Sequence, residues 1–220
     1  MPVYRLDVHS FDFPPAEAAT AENDWLLAVG GDYHPERLLT AYSQGIFPWP
    51  IREDLPITWF SPDPRFVLKA EDLHIPKSLQ RTLKKKCFTY RINTAFADVI
   101  RACASTPRPR QDGTWITEEL LKGYCELHQR GFAHSFEAWQ NDQLVGGFYG
   151  VAIGSCFFGE SMFTRVPDAS KCAFATFARY LFAKGFPWID CQTYTDHLAR
   201  FGAKDISRAE YLKMLKNEFR

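Results

Sequence analysis

The 220-residue sequence predicts an α+β fold, with a small N-terminal unit over residues 1–65 and a larger domain over residues 66–220. Three observations predict this class. Short apolar runs separated by Gly and Pro fill the first 65 or so residues. Farther along, stretches with helical spacing of apolar residues alternate with strand-like stretches. Three of the strand-like stretches follow one another with short connections, which is typical of antiparallel strands.

The N-terminal unit is predicted to contain one clear helix. An apolar run over residues 26–29 ends at a pair of glycines; Asp32 and Pro35 then begin the helix, and Gly45 ends it. Residues 59–65 are interrupted by two prolines, so we expect the end of a strand followed by a turn there.

The larger domain is predicted to alternate between helices and strands. Asn93 and Thr117 are each expected to cap a helix, and Ser207 with Glu210 forms a capping box. The predicted helices are residues 76–86, 93–104, 117–131, 170–184 and a last one after residue 207. The predicted strands are residues 88–92, 133–139, 143–151, 155–159 and 188–192. This order resembles the N-acetyltransferase-like (GNAT) fold.

Composition and charge exclude several classes of function. The chain carries 26 basic and 26 acidic residues, so a contact with nucleic acid requires a local basic patch. The 6 cysteines form no CxxC pair and no Cys/His cluster with zinc-ligand spacing, so we expect reduced thiols and no metal or cofactor. Neither a signal peptide nor a membrane span is indicated. We therefore expect a cytoplasmic protein.

A basic stretch occupies the first predicted helix of the larger domain. At about 100° per residue its positive side chains share one face, roughly opposite Leu79 and Leu83. The side chains of this basic face are Lys77, Arg81, Lys84 and Lys85. Such a face is either a solvated surface, as most charge runs are, or a surface that binds phosphate groups. The residues alone leave both interpretations open.

Two carboxylates stand out because the residues around them are apolar. Glu160 lies between Phe158 and Met162, and a buried carboxylate is unfavourable unless it is paired or protonated. Glu160 therefore either has a function or lies at a turn within reach of water. Asp190 follows an apolar strand start, and an extended chain points Asp190 and Gln192 to the same side. The two side chains then converge on one spot, unless Asp190 simply caps a turn.

No residue pattern indicates a covalent nucleophile. The chain has no GxSxG sequence and no Cys/His motif. Acyl transfer from an activated ester to an amine fits this pattern, because an α-amino group with a pKa of about 8 is partly free base at neutral pH. Such an enzyme positions the reactants, handles a proton and stabilises an oxyanion. Asp190 and Gln192 are candidates for the first two tasks.

Seven short motifs occur in an order that resembles one known family. They are LAVGGD at residues 27–32, GIFPW at 45–49, WFSPDPR at 59–65, GTWIT at 113–117, LVGG at 144–147, GESMF at 159–163 and IDCQ at 189–192. Each motif alone is weak, but the ordered set is specific and covers nearly the whole chain from about residue 26. The chain thus resembles the leucyl/phenylalanyl-tRNA–protein transferases.

The resemblance implies a fold, an activity and partners. The implied fold is a small N-terminal domain joined to a GNAT-like domain. Members of the family transfer Leu or Phe, and less efficiently Met, from aminoacyl-tRNA to proteins that begin with Arg or Lys. The product is directed to degradation by the bacterial N-end rule pathway. The expected partners are aminoacyl-tRNA and these acceptor proteins, and the chain is expected to be a monomer.

The resemblance also implies roles for individual residues. Asp190 and Gln192 match the family's catalytic pair, and Glu160 matches a glutamate near the aminoacyl group. Whether Asp190 is a base or an electrostatic stabiliser stays open. Trp49 and Trp115 match the residues that stack on the terminal adenosine, an interaction worth about 1–3 kcal/mol per base. The basic face matches the tRNA-binding helix.

An apolar pocket for the Leu or Phe side chain completes the implied site. Its matching residues are Phe148, Phe157, Met162, Phe177 and Ile189. Phe148 stands where the family pattern has Met, which either narrows or reshapes the pocket. Ile189 faces away from Asp190 on a regular strand, so both approach one site only if the strand twists, bulges or ends there.

Two other functions are weighed against the transferase. The first is a coenzyme A-dependent N-acetyltransferase on the same fold. Acetyltransferases hold the coenzyme A pyrophosphate on a Gly-rich turn, whereas residues 164–169 contain a Pro, an Asp and no Gly. This loop disfavours coenzyme A. The second is a tRNA-binding protein without catalysis.

Overall fold

The computed structural model describes residues 3–51, 54–106 and 116–219. The strands are, in chain order, β1 (Tyr4–Leu6), β2 (Leu26–Gly30), β3 (Phe47–Pro48), β4 (Thr58–Phe60), β5 (Arg65–Lys69), β6 (Thr89–Ile92), β7 (Ala133–Gln140), β8 (Gln143–Ile153), β9 (Cys156–Thr164), β10 (Trp188–Asp190) and β11 (Lys204–Ile206). The helices are α1 (Pro35–Ser43), α2 (Lys77–Lys84), α3 (Phe96–Ala104), α4 (Glu118–Gln129), α5 (Ala169–Ala183), α6 (Asp196–Ala199) and α7 (Arg208–Glu218). Among the described residues, no helix has the length and apolar character needed to cross a membrane.

The strands form two sheets, and the predicted α+β class is confirmed. The first sheet has the order β1-β2-β4-β3, and the second has the order β11-β5-β10-β9-β8-β7-β6. In the second sheet β7, β8 and β9 are antiparallel neighbours, whereas β10 runs parallel to β9 and antiparallel to β5. Arg65, expected at the end of the N-terminal unit, is the first residue of β5 and belongs to the larger sheet.

Two apolar clusters lie on opposite faces of the larger sheet. Side chains alternate along a strand, so Tyr149 joins one cluster and Phe148 joins the other. The first cluster combines the small sheet with α1, α3, α4 and α7. The second packs α2 and α5 against the other face. The small sheet therefore shares a core with the larger domain, and residues from both can meet in one site.

Two predicted helix caps are confirmed and one is wrong. The hydroxyl oxygens of Thr117 and Ser207 accept hydrogen bonds from backbone N–H groups at the starts of α4 and α7, at 3.2 Å each. Asn93 does not cap α3: its φ is 61° and its side chain accepts from Ser135 N–H instead. The buried Glu137 of β7 accepts the N–H groups of Thr94 and Ala95.

Glu137 replaces the local cap because it lies across the sheet from the start of α3. Burial alone would raise the pKa of Glu137, but its hydrogen bonds, led by that from Thr94, hold the pKa below its usual value. Residues far apart in sequence make this cap, so the local pattern at residue 93 could not predict it.

Candidate active site

A cavity of about 390 Å³ lies where β8, β9 and β10 meet the small sheet. The predicted site residues that border it are Trp49, Phe148, Phe157, Glu160, Met162, Ile189, Asp190 and Gln192. Phe177 is 2% exposed and packs behind the wall, with its ring centroid 4.8 Å from that of Phe157 and 5.0 Å from that of Phe148. Trp115 lies outside the described residues.

The apolar wall of the cavity follows from strand register. Phe148 of β8 lies opposite Met162 of β9, and Phe157 of β9 lies beside Ile189 of β10. Paired residues of neighbouring strands point to the same face of a sheet. The four side chains therefore form one continuous surface, and Phe174 of α5 borders the cavity as well.

A β-bulge at Glu160 explains how both ends of β9 reach this surface. Tyr149 pairs with Ser161, but the next residue, Gly150, pairs with Gly159, so Glu160 has no partner across the strand. Residues 157 and 162 are an odd number apart, so a regular strand would point them to opposite faces. The extra residue turns Met162 to the same side as Phe157. The strand predicted to end at residue 159 continues through this bulge to Thr164.

Gly150 permits the bulge because the two backbones come unusually close there. A Cβ atom at position 150 would lie 2.2 Å from the Phe158 carbonyl oxygen. No side chain fits into that space, so glycine is required.

The Glu160 carboxylate is held by three neutral donors from three different elements. The hydroxyl of Tyr42 in α1 donates to Oε1 at 2.7 Å, and that of Tyr124 in α4 donates to Oε2 at 3.1 Å. Gln192 Nε2 donates to Oε1 at 2.6 Å. The two tyrosine hydroxyls also contact each other. Two hydroxyl protons serve two of the three contacts among the tyrosines and Glu160, and a protonated Glu160 supplies the third.

Burial governs the protonation of this group. It raises the pKa of Glu160 to about 8, although the hydrogen bonds from Tyr42 and Tyr124 act in the opposite direction, and the negative charge of Asp190 raises it further. Burial and the nearby Glu160 also hold the pKa values of both tyrosines well above their usual range, so both keep their hydroxyl protons. Glu160 can therefore exchange a proton near neutral pH.

Asp190 differs from Glu160 because its partner is charged. The residue is fully buried, with 0% of its surface exposed. Arg65 of β5 donates from Nε to Oδ1 at 2.9 Å and from Nη2 to Oδ2 at 2.5 Å. Oδ2 also accepts from the hydroxyl of Tyr211 in α7, and Oδ1 accepts from the Gln192 backbone N–H, both at 2.8 Å. Four donors thus fix the carboxylate against the core.

Gln192 does not continue the strand: the strand predicted over residues 188–192 is confirmed for Trp188–Asp190 and is wrong for the last two residues. β10 ends at Asp190, and Gln192 has a φ of 62°, a region that non-glycine residues rarely adopt. Thr193 N–H donates to the Cys191 carbonyl at 2.8 Å and closes a tight turn around Gln192. The turn directs the Gln192 amide towards Glu160 rather than Asp190.

The end of the strand also explains how Ile189 borders the cavity although its neighbour Asp190 points to the other face of the sheet. Ile189 belongs to the apolar cluster on the cavity side of the sheet, while the Asp190 side chain points to Arg65 on the other side. Because the strand ends at the cavity, Ile189 and Gln192 both border it although Asp190 faces away.

The basic face lies outside the cavity, and none of its four residues lines the main cavity or its smaller neighbour. Its residues Lys77, Arg81, Lys84 and Lys85 are exposed, and no ion pair found among the described residues involves them. The first turn of α2 borders a smaller cavity of about 100 Å³, which shares His197 with the main cavity. A ligand seated in the main cavity could therefore extend towards α2.

Sequence comparisons match nearly the whole chain to known proteins. A family model described as "Leucyl/phenylalanyl-tRNA protein transferase" matches residues 67–216, and one for the N-terminal domain of the same transferase matches residues 31–63. A leucyl/phenylalanyl-tRNA–protein transferase from Anaeromyxobacter sp. (strain K) is 54% identical over 215 residues, which cover 98% of this chain and 91% of the relative. One from Nitratidesulfovibrio vulgaris (strain DP4) is 51% identical and covers 100% of this chain and 93% of the relative.

The chain belongs to the leucyl/phenylalanyl-tRNA protein transferase family. The family is one of aminoacyltransferases, so the predicted enzyme class is confirmed. Among solved structures, a GCN5-related N-acetyltransferase-like protein from Streptococcus suis matches with a TM-score of 0.40 and 12% identity, over 66% of this chain and 58% of that one. L-PGS from Bacillus licheniformis matches with a TM-score of 0.42 and 7% identity, over 70% of this chain and 50% of that one.

Four polar residues of this transferase-family site lie outside the predicted set. They are Tyr42, Arg65, Tyr124 and Tyr211. The tyrosines occupy apolar helix faces, where a core role is the ordinary expectation. The sequence indicates a site role for Arg65 more clearly, because this arginine follows two prolines and begins an apolar run. An arginine that is buried with such a run needs a partner for its charge.

Proposed function

We propose that this enzyme transfers Leu or Phe, and less efficiently Met, from aminoacyl-tRNA to the N-terminal Arg or Lys of an acceptor protein. The product is a peptide bond and a new N-terminus that marks the acceptor for N-end rule degradation. The observation that carries the proposal is the apolar cavity beside the Glu160–Gln192 pair, with Trp49 at its rim. We further propose that the enzyme acts in the cytoplasm as a monomer.

The cavity suits the side chain of Leu, Phe or Met. Phe148, Phe157, Met162 and Ile189 offer an apolar surface, and the volume of about 390 Å³ leaves room for a side chain and part of the ester. The Asp190 charge is neutralised by Arg65 behind the wall. A charged donor side chain would lose its hydration without gaining a partner, so it is disfavoured.

The polar pair suits the chemistry of peptide-bond formation. The acceptor amine attacks the ester carbonyl, a C–N bond forms, and the C–O bond to the terminal ribose breaks. In the proposed mechanism Glu160 takes the proton released by the amine and returns it to the ribose oxygen. Its pKa of about 8 lies close to that of an α-amino group, so transfer in both directions is easy.

Gln192 and Asp190 have separate tasks in this mechanism. Gln192 donates to Glu160 through Nε2, and its amide oxygen is proposed to orient the acceptor amine. Asp190 acts as a positioning residue, because its Oδ1 accepts the Gln192 backbone N–H and fixes the turn.

The donor is proposed to be tRNA rather than coenzyme A. Trp49 is 41% exposed at the cavity rim, as a ring that stacks on the terminal adenosine requires, and the basic face of α2 can contact phosphates. At the start of α5, where a pyrophosphate would bind, stands the carboxylate of Asp168, which repels phosphate.

A transfer assay tests the proposal. Purified protein is mixed with Phe-, Leu- or Met-tRNA carrying labelled amino acid and with a peptide that begins with Arg, Lys or Ala. We expect label on the Arg and Lys peptides, in the order Leu or Phe above Met, and none on the Ala peptide. Acetyl-coenzyme A in place of the tRNA should give no product. Transfer from acetyl-coenzyme A, or tight tRNA binding without any transfer, would contradict the proposal.

A further inference from the structure

A second cavity of about 300 Å³ adjoins the candidate active site, and Trp49 and Thr193 border both. We call it the aromatic cavity. Its other lining residues are Asp24, Trp25, Phe47, Ile51, Phe60 and Pro62. The amino-acid pocket and the Glu160–Gln192 pair do not use this space, so its role is unassigned.

The lining of the aromatic cavity suits an apolar side chain of a polypeptide. Trp49 is 41% exposed and Ile51 is 59% exposed, so large apolar surfaces face open space. The described residues that line the cavity include one charged group, Asp24, and no basic group. An RNA strand would bring phosphates against a carboxylate, which is unfavourable, whereas a peptide brings none.

Trp25 is held in the cavity wall at a conformational cost. Its φ is 64° and that of Asp24 is 52°, a region disfavoured for bulky residues. Trp25 N–H donates to the Thr20 carbonyl at 2.9 Å, and Ser61 N–H donates to the Trp25 carbonyl at 3.2 Å. The Arg208 guanidinium lies 5.3 Å from the Trp25 ring centroid. Strain that the surroundings maintain in this way often marks a functional position.

The path of the chain indicates which substrate reaches this cavity. Gln192 is where the acceptor amine is proposed to sit, and the next residue, Thr193, borders the aromatic cavity. The smaller cavity that the first turn of α2 borders adjoins the main cavity at His197, away from Thr193 in the chain. A tRNA that binds α2 and reaches the main cavity by this route leaves the Thr193 border to the acceptor chain.

We propose that the aromatic cavity binds an apolar side chain of the acceptor protein, located within the first residues after its N-terminal Arg or Lys. This inference rests on the proposed function. An extended chain advances about 3.3–3.6 Å per residue, so the next few residues are the ones within reach. The enzyme would then select acceptors by a downstream apolar residue as well as by the N-terminal one.

A peptide series with purified enzyme and Phe-tRNA tests this inference. The acceptors begin with Arg, continue with Gly and Ser, and carry a single Phe at position 2, 3, 4 or 5, or none. We expect one or two positions of Phe to raise kcat/KM about tenfold over the peptide without Phe, mainly through a lower KM. The Kd for Phe-tRNA serves as a separate readout.

Three variants assign the effect to the cavity. Trp25→Gly removes the ring, and glycine adopts the positive φ at this position without strain. It should abolish the advantage of the Phe peptide, and Ile51→Ser should reduce it. Ile92→Ser is the matched control, because Ile92 is also exposed but lies on β6, away from both cavities. It should leave the advantage intact.

The outcomes separate this inference from the proposed function. Equal kcat/KM for all peptides, or an advantage that survives in Trp25→Gly, would overturn the acceptor role of the aromatic cavity alone. A higher Kd for Phe-tRNA in Trp25→Gly, with the peptide preference unchanged, would assign the cavity to the RNA instead. Absence of transfer to every peptide would overturn the proposed function and this inference together.

Discussion

Asp190 and Glu160 are two buried carboxylates that both accept hydrogen bonds from Gln192, yet one has a cationic partner and the other has neutral partners. Asp190 has a guanidinium in bidentate contact. The donors to Glu160 among the described residues are neutral: two tyrosine hydroxyls and one amide. The guanidinium fixes the Asp190 carboxylate in place, whereas burial raises the pKa of Glu160 and favours its protonated form.

Gln192 connects these two regions and shows what the difference is for. Its backbone N–H donates to Asp190 and its side-chain amide donates to Glu160. The fixed carboxylate sets the backbone turn, and the side chain then meets the carboxylate that can change its protonation. Asp190 thus positions the backbone of Gln192, and Glu160 contacts its side chain. Mutations can test these two roles separately.

The largest expected effect comes from breaking the rigid region. Asp190→Ala leaves Arg65 buried without its partner and should lower the free energy of unfolding by about 3–5 kcal/mol. Urea denaturation measures this loss. Asp196→Ala, on the exposed start of α6, is the control and should change stability little.

Replacing the whole pair separates its charge from its volume. Arg65→Met with Asp190→Leu should recover most of the lost stability, because an apolar pair leaves no unpaired charge. The double variant should still transfer poorly, since the Gln192 backbone N–H loses its acceptor. A stable but inactive Asp190→Ala would place Asp190 in the chemistry rather than in the support of Gln192.

Removing the connecting side chain should affect rate without affecting stability. Gln192→Gly suits the φ of 62° and deletes the amide, so stability should change by less than about 1 kcal/mol. We expect kcat for transfer to fall about 10²–10³-fold, the usual loss when an oriented polar group at a reacting centre is removed. Thr193→Ala is the neighbouring control. Normal kcat in Gln192→Gly would locate the chemistry elsewhere.

The titratable region should appear in the pH dependence of both activity and stability. The folded pKa of Glu160 is about 8 and its ordinary value is 4.5, so the folded state binds its proton more tightly. The associated stability is complete below pH 4.5 and disappears as the pH rises through 8. From pH 5 to pH 8.5 the wild type should lose on the order of 4 kcal/mol that Glu160→Gln does not lose.

The same variant sharpens the kinetic side of the comparison. Wild-type kcat/KM should rise through pH 8 as Glu160 and the acceptor amine both lose protons, whereas Glu160→Gln should keep only the dependence of the amine. A stopped-time transfer assay from pH 6 to about 9 measures both profiles. Identical profiles would show that Glu160 does not exchange a proton in the reaction.

Local patterns predicted the elements better than they predicted this pair of carboxylates. Caps such as Thr117 and Ser207 act on N–H groups three residues away, so a short window contains them. The partners of the two acids lie far along the chain: Arg65 is 125 residues from Asp190, and Tyr42 is 118 from Glu160. The family motifs correctly predicted that Glu160 and Asp190 border the cavity. The different partners of the two acids are visible only in the folded chain.

The bulge and the turn escaped prediction for a related reason. Each is a departure from regular strand geometry that depends on a neighbouring strand: Gly150 allows the bulge at Glu160, and Phe66 N–H holds the Gln192 carbonyl at 3.1 Å. A regular strand is the default expectation for an apolar run, so sequence periodicity points the affected side chains to the wrong faces. Functional sites are where such departures concentrate.

The smallest expected effect on stability comes from removing exposed charges of the basic face. Lys84 and Lys85 are exposed at the end of α2. Removing them leaves no buried charge unpaired, whereas removing Arg65 would leave Asp190 without its cation. Changing both to Ala should leave the unfolding free energy within about 0.5 kcal/mol of wild type. It should also flatten the plot of log affinity for aminoacyl-tRNA against log salt, by about one unit of slope for each phosphate that the helix no longer neutralises. Lys213→Ala with Lys216→Ala, on α7 beside another cavity, removes the same charge and should leave the slope unchanged. Equal slopes in both double variants would mean that the helix carries solvated charge, and that the RNA reaches Trp49 by another route.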